Sequence, residues 1–272
     1  MTLGIYYEHM LAAARQREAT LPALCAKVRA LGYKAVAPQA AHIVRDAGLL
    51  PMLSSAGLRA EGIYERFLFE SKAQAAQVLA ASERAGARYL LAVLPMLRAG
   101  ETDRNGALYA RRRDTLATGL ETLCAQAAQC GITVLLEPFD SLFSPSAHAA
   151  ELLWYFARVE GLFCAFDTGN PVVCGEDAEK ILPTLLPYIR IVHAKDRAFC
   201  DNGMPGKQTA SGKKVYPAAV GRGDLPLAGI FKKLQQSGFD GAVFAEHFDH
   251  ADEMGAMEDS ARFLRAELFK NA

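Results

Sequence analysis

The sequence predicts a single-domain (β/α)8 TIM barrel spanning residues 1–272. Three observations carry that expectation. Short apolar runs alternate with alanine-rich amphipathic runs, eight times over. The apolar runs are nearly continuous, as in Ile132-Thr133-Val134-Leu135-Leu136, which is how parallel strands covered on both faces read. Eight such units in a chain of 272 residues match the usual size of the barrel. A doubly wound open sheet is the rival, but it usually carries a glycine-rich loop after its first strand. Here Tyr6-Tyr7-Glu8-His9 follows instead.

Leu3–Tyr7 is the first strand. Leu21–Leu31 is helical and stops at Gly32, a helix-ending glycine. Lys34–Ala37 is a strand. Ile43–Ala56 reads as mainly helical, interrupted at Gly48 and Pro51 and ended by Gly57. Leu58–Tyr64 is the third strand. Ser71–Ala85 is a helix with Ala and Val at i, i+3, i+4 spacing, stopped by Gly86. Arg88–Leu94 is a strand, and Ala110–Cys130 is a long helix ended by Gly131. The second half repeats the alternation: strand Ile132–Leu136, helix Ser146–Val159, strand Leu162–Phe166, then helix Asp177–Tyr188 with Asp177 as its N-cap. Strand Ile189–Val192, helix Leu227–Ser237, strand Ala242–Ala245 and helix Glu258–Leu268 complete the series. Ala198–Val220, rich in Gly and Lys, reads as one long irregular loop, functional or simply solvated.

Composition narrows the function. Lys plus Arg and Asp plus Glu are both 30, so there is no basic excess of the kind nucleic-acid binders carry. No run of 18 apolar residues lacks a charge or turn signal, which argues against a membrane span. The N-terminus reads as a strand and not as a signal peptide. Six cysteines without a CxxC pair suggest reduced thiols and a cytoplasmic protein.

In a barrel, the site forms where strands end. Four successive strands end in Leu136-Glu137, Phe166-Asp167, Val192-His193 and Ala245-Glu246, at spacings of 30, 26 and 53 residues. Each alone is also what a helix cap, a loop salt bridge or a structural His looks like. Together, Glu137, Asp167, His193 and Glu246 would converge. Burying three carboxylates together costs several kcal/mol, about what a divalent cation removes. The donor set suits Mn2+, Mg2+, Co2+ or Zn2+, and sequence does not choose among them.

The ordered set of segments resembles the xylose-isomerase-like TIM-barrel superfamily of sugar isomerases and epimerases. The segments are Leu136-Glu137-Pro138; Phe166-Asp167-Thr168-Gly169-Asn170 with Gly175-Glu176-Asp177; His193-Ala194-Lys195-Asp196; Val220-Gly221-Arg222-Gly223-Asp224; and Gly238-Phe239-Asp240-Gly241 leading into Ala245-Glu246. That superfamily holds ketose 3-epimerases, hydroxypyruvate isomerase, inositol-catabolism enzymes and, more distantly, endonuclease IV. The resemblance implies one divalent metal on Glu137, Asp167, His193 and Glu246. It also implies two catalytic glutamates, Glu137 and Glu246, working through a metal-stabilised cis-enediolate. The substrate implied is a keto sugar, free or phosphorylated, with no nucleic-acid or membrane partner. A homodimer or homotetramer is left open.

Around that centre, Asn170 stands where some ketose epimerases have His. Ala37-Pro38-Gln39 stands where many relatives are acidic. Tyr6, His9 and Glu61 are expected as pocket residues or as packing. Arg197 is expected on substrate hydroxyls or phosphate, and Lys195–Asp196 as a loop ion pair. Gly221-Arg222-Gly223 reads as a turn or as a phosphate cradle. A keto-inositol-type dehydratase is the alternative activity. An endonuclease IV-like repair enzyme and a non-enzymatic barrel are remoter ones.

Overall fold

The computed structural model describes residues 1–69 and 71–268, so the last four residues of the predicted domain, 269–272, lie outside the described residues. The chain begins with β1 (Thr2–Tyr6), α1 (Tyr7–Gln16), α2 (Leu21–Ala30), β2 (Ala35–Ala37), α3 (Ala40–Arg45), α4 (Leu49–Ser55), β3 (Arg59–Ala60), β4 (Gly62–Arg66), α5 (Lys72–Ala85) and β5 (Tyr89–Val93). It continues with α6 (Ala107–Gln129), β6 (Thr133–Leu136), α7 (Ala149–Arg158), β7 (Leu162–Asp167), α8 (Ala178–Leu185) and β8 (Ile189–Ala198). It ends with β9 (Lys207–Gln208), β10 (Lys214–Ala218), α9 (Leu227–Gln236), β11 (Ala242–Glu246) and α10 (Glu253–Leu268).

The main sheet runs β3-β2-β1-β11-β8-β7-β6-β5-β4. Every pairing along that path is parallel. β3 pairs with β2 and β4 with β5, so the two segments share the third strand's place, broken at Glu61. A parallel bridge between Gln39 and Tyr64 closes the circuit. The result is the predicted (β/α)8 barrel.

Two apolar layers hold it. Inside the barrel lie Tyr6, Leu91, Leu135, Ala165, Ile191 and Phe244, with smaller residues beside them. The opposite faces of the same strands pack on the helices through a larger buried cluster. Small and large alternate to fill the interior: a Cβ at Gly4 would collide with the ring of Phe244, so glycine there is what admits the ring.

Several elements differ from the sequence reading. α1 follows β1 without a loop, and no Ser, Thr, Asp or Asn cap announces it, because Tyr6 stands at its N-cap. The single helix expected over 43–56 is two, parted around Asp46–Gly48. The expected irregular loop 198–220 contains a hairpin, since β10 pairs antiparallel with both β9 and the end of β8. The closing helix begins at Glu253 rather than at Glu258. Asp177 caps α8 as expected, accepting a hydrogen bond from the Glu179 N–H.

Candidate metal centre

Side chains alternate along a strand, so every second residue points inward. Leu135, Ala165, Ile191 and Phe244 line the interior. Two residues further on stand Glu137, Asp167, His193 and Glu246. Pairing sets their level: Asp167 lies opposite His193 across β7 and β8, and Glu246 opposite Lys195 across β11 and β8. The strand period therefore turns an apolar interior into a polar end layer at its carboxyl mouth.

All four residues are buried, and one donor atom from each lies within 4.8 Å of the others. His193 Nδ1 is 2.9 Å from Glu137 Oε2 and 3.8 Å from Glu246 Oε2. Asp167 Oδ1 accepts the backbone N–H of Gly169 at 2.7 Å and of Asn170 at 2.6 Å. Those bonds fix the carboxylate, and its other oxygen, Oδ2, is buried without a partner. A Cβ at Gly169 would sit 2.9 Å from both Lys195 Cγ and the Lys195 carbonyl oxygen, so glycine permits this tight approach of the loop to β8.

The electrostatics are those of a site short of positive charge. Burial raises the Asp167 pKa to about 8, the glutamates adding to it while Lys195 opposes. Burial also raises Glu137, against the opposing hydrogen bond and charge of His193. Burial would raise Glu246 too, but Lys195 and His193 outweigh it and hold it low. Burial would lower His193, yet Glu137, Glu246 and Asp167 outweigh that and raise it. Burial and the neighbouring carboxylates push the Tyr6 phenol well up, keeping it a neutral donor. Its hydroxyl lies 3.1 Å from His193 Nε2 and 3.3 Å from Nδ1.

The four-residue set fits a divalent cation: three oxygen donors and one imidazole, a buried orphan oxygen on Asp167, and three carboxyls against two cationic partners, Lys195 and His193. A cation would replace the proton that His193 and Glu137 share, so binding releases protons.

The surrounding expectations divide. Tyr6 and Asn170 adjoin the cluster, Asn170 Oδ1 accepting from Lys195 Nζ at 2.9 Å. Lys195 is not in a loop ion pair with Asp196. It lies in β8, pointing inward to Glu246, because β8 continues past His193 to Ala198. Arg197 also points inward, its Nη2 donating to Asp140 Oδ2 at 2.8 Å. Asp196 faces outward and accepts the N–H groups of Gly221, Gly223 and Leu225 at 2.9, 2.9 and 3.3 Å. That carboxylate fills the Gly221–Gly223 turn, which leaves no free cradle for phosphate there. Arg222 pairs instead with Asp259, at 2.8 Å from its Nε. Gln39 donates to Glu65 Oε1 at 2.8 Å, so acidic side chains near the end of the second strand come from Glu65 and Glu8 instead. Glu61 is not brought to the centre; it sits at the start of β4, 3.4 Å from Arg59 and 4.0 Å from Arg88.

His9 belongs to a second buried cluster that the sequence did not signal, with His247 and Glu253. His9 Nε2 accepts the His247 backbone N–H at 3.1 Å, so its proton is on Nδ1, 3.1 Å from Glu253 Oε2. His247 Nε2 is also 3.1 Å from that oxygen but out of line for a hydrogen bond. The two imidazoles stack, centroids 3.9 Å apart and planes 16° from parallel. Lone pairs lie in the ring plane, so stacked rings do not aim at one ion. Burial and His9 depress His247 to about 4. Burial would raise Glu253, but the two imidazoles hold it at about 2. This cluster braces the backbone just after Glu246.

A closed parallel barrel with carboxylates and one imidazole at its carboxyl mouth defines a class of α/β-barrel proteins with a candidate metal centre. The profile of the xylose isomerase-like TIM barrel family matches residues 25–267, and the chain belongs to that family. No curated protein matches it by sequence. Similar solved structures include D-psicose 3-epimerase with D-tagatose from Clostridium cellulolyticum H10, at 16% identity and TM-score 0.74, covering 99% of both chains. A probable 3-DHS dehydratase, AsbF, from Bacillus anthracis has 14% identity and TM-score 0.74, covering 97% of this chain and 98% of that one. A xylose isomerase-like TIM barrel protein from Mycobacterium smegmatis in complex with magnesium has 17% identity and TM-score 0.68, covering 92% and 88%. Among the described residues, no helix is long and apolar enough to cross a membrane.

Proposed function

We propose that the protein is a divalent-metal-dependent isomerase or epimerase of a keto sugar. The observation that carries this reading is the meeting of Glu137, Asp167, His193 and Glu246 around the unpartnered Asp167 Oδ2. Those four residues would hold the ion, which when bound supplies a Lewis acid that polarises a carbonyl.

The two glutamates divide the proton work. Both are buried in one site, as the removal and the return of a proton on one substrate require. Glu246, kept charged by Lys195, takes the proton from the carbon beside the carbonyl. Glu137 returns one. Return to the same carbon from the opposite face epimerises it; return to the neighbouring carbon isomerises aldose and ketose. Tyr6, a neutral phenol, donates toward the same space, and Asn170 holds Lys195 on Glu246.

The test is solvent exchange. The purified protein, loaded in turn with Mn2+, Mg2+, Co2+ and Zn2+, is incubated with free and phosphorylated ketoses in D2O. Deuterium at the carbon beside the carbonyl, abolished by EDTA and restored by the ion, is the expected result. A fully loaded protein that exchanges nothing across the panel would overturn the reading. Elimination by a dehydratase uses the same ion and base, and loss of water from the product distinguishes it.

A further inference from the structure

Beyond His193, β8 carries its inward face on to Lys195 and Arg197. Asp140, three residues past Glu137, meets both. Arg197 Nη2 donates to Asp140 Oδ2 at 2.8 Å, Lys195 Nζ is 3.8 Å from the same oxygen, and Lys207 Nζ is 2.7 Å from Oδ1. Three cations thus surround one carboxylate. Lys195 also bridges to Glu246, so the trio adjoins the metal centre through one side chain.

Two features show capacity left over. Arg197 is 4% exposed, makes one side-chain hydrogen bond, and keeps its Nε buried without an acceptor. A planar guanidinium is suited to a second, two-pronged contact with a carboxylate or phosphate. Lys207 comes from the β9–β10 hairpin with 41% of its side chain exposed, on the solvent side of Asp140. The other anion cradle expected near the last strands, at Gly221–Gly223, is taken by Asp196.

We infer that Arg197 and Lys207, beside Asp140, form an anion subsite, and that the substrate carries a carboxylate or phosphate at the end remote from its reacting carbons. This rests on the keto-sugar reading and narrows it from ketoses in general to acidic ones. Asp140 keeps the two cations in place; the ligand's anion takes the donors Asp140 leaves free.

The competing role is mechanical: the ion pairs pin the hairpin to the barrel. Binding separates the two. Calorimetry on the metal-loaded protein compares matched probes: D-fructose, D-fructose 6-phosphate and D-fructuronate, and the corresponding D-tagatose set. An anionic member is expected to bind at least tenfold more tightly than its neutral partner. Whether phosphate or carboxylate gains more identifies the group. Lys207→Gln and Arg197→Gln are each expected to reduce that advantage about tenfold, the anionic member losing more affinity than its neutral partner. Lys207→Gln, on the half-exposed hairpin, keeps the test open if Arg197→Gln fails to fold. Equal binding of neutral and anionic members, no binding of any anionic member, or equal losses for both in Lys207→Gln would overturn the subsite. Deuterium exchange into neutral ketoses only would sink the subsite and keep the keto-sugar reading; tight anion binding without any exchange would do the reverse.

Discussion

Two buried clusters sit side by side at the mouth of this barrel, and their sequences are adjacent at Glu246 and His247. Both combine imidazole with carboxylate, and each brings donor atoms within 4.8 Å. They differ in what their lone pairs face. In the first, Asp167 Oδ2 has no partner and Asp167 is held up at about 8 by burial. In the second, His9 has both nitrogens engaged, the rings stack, and Glu253 is satisfied at about 2. The first gathers three carboxyls around one open oxygen; the second has a single carboxylate, and its stacked imidazoles hold their lone pairs in nearly parallel planes. Ligand-type residues at ligand spacing therefore do not make a metal site. The direction of the lone pairs and the charge left unanswered do.

The largest effect that distinguishes the clusters is on turnover. Glu246→Gln removes the base while preserving shape, and the exchange rate should fall by about 10²–10⁴-fold. Next is the ion. Asp167→Asn should weaken metal affinity by at least about 100-fold, measured by calorimetry, because it removes a direct donor whose neighbours alone are worth roughly 10–100-fold.

The third prediction concerns pH. Folding raises the Asp167 pKa above its unfolded value, so its contribution to stability is fully present below the ordinary carboxylate range and is lost as pH rises through about 8. Metal-free protein should lose on the order of a few kcal/mol between pH 5 and pH 9, and Asp167→Asn should show a shallower slope in thermal melts, Glu137 and His193 keeping the rest. Metal should stabilise more at the alkaline end. A flat metal-free profile would show the carboxylate already neutralised.

The second cluster predicts the opposite pairing of effects. His9→Ala leaves the His247 N–H and Glu253 without their partner, so stability should fall by roughly 2–3 kcal/mol, while the chain still binds one ion. The smallest effect belongs to Glu61, which faces Arg59 and Arg88 away from the centre. Glu61→Gln should shift stability by less than about 1 kcal/mol and leave exchange unchanged.

The four-residue centre was legible because a strand period of two places each chemical residue directly after an apolar run; Leu135 to Glu137 and Phe244 to Glu246 are readable without coordinates. Lys195 and Arg197 obey the same period, but the sequence does not mark where β8 ends. Their inward direction became visible only with the strand's extension under β10. Asp140 carries no local signal, since its partners arrive from β8 and from a hairpin tens of residues away. His9, His247 and Glu253 meet across more than 230 residues, and nothing in the flanking residues encodes that contact. The Asp196 carboxylate inside the Gly221–Gly223 turn is a similar case. Glycine spacing reveals a nest of N–H groups but not whether the chain fills it itself.

The most direct test is a count of bound ions in three proteins dialysed against limiting Mn2+ or Zn2+. The chain as it stands and His9→Ala should each retain one ion per molecule, and Asp167→Asn should retain none. Retention by Asp167→Asn, or loss on changing His9, would put the ion elsewhere and contradict the reading of the centre.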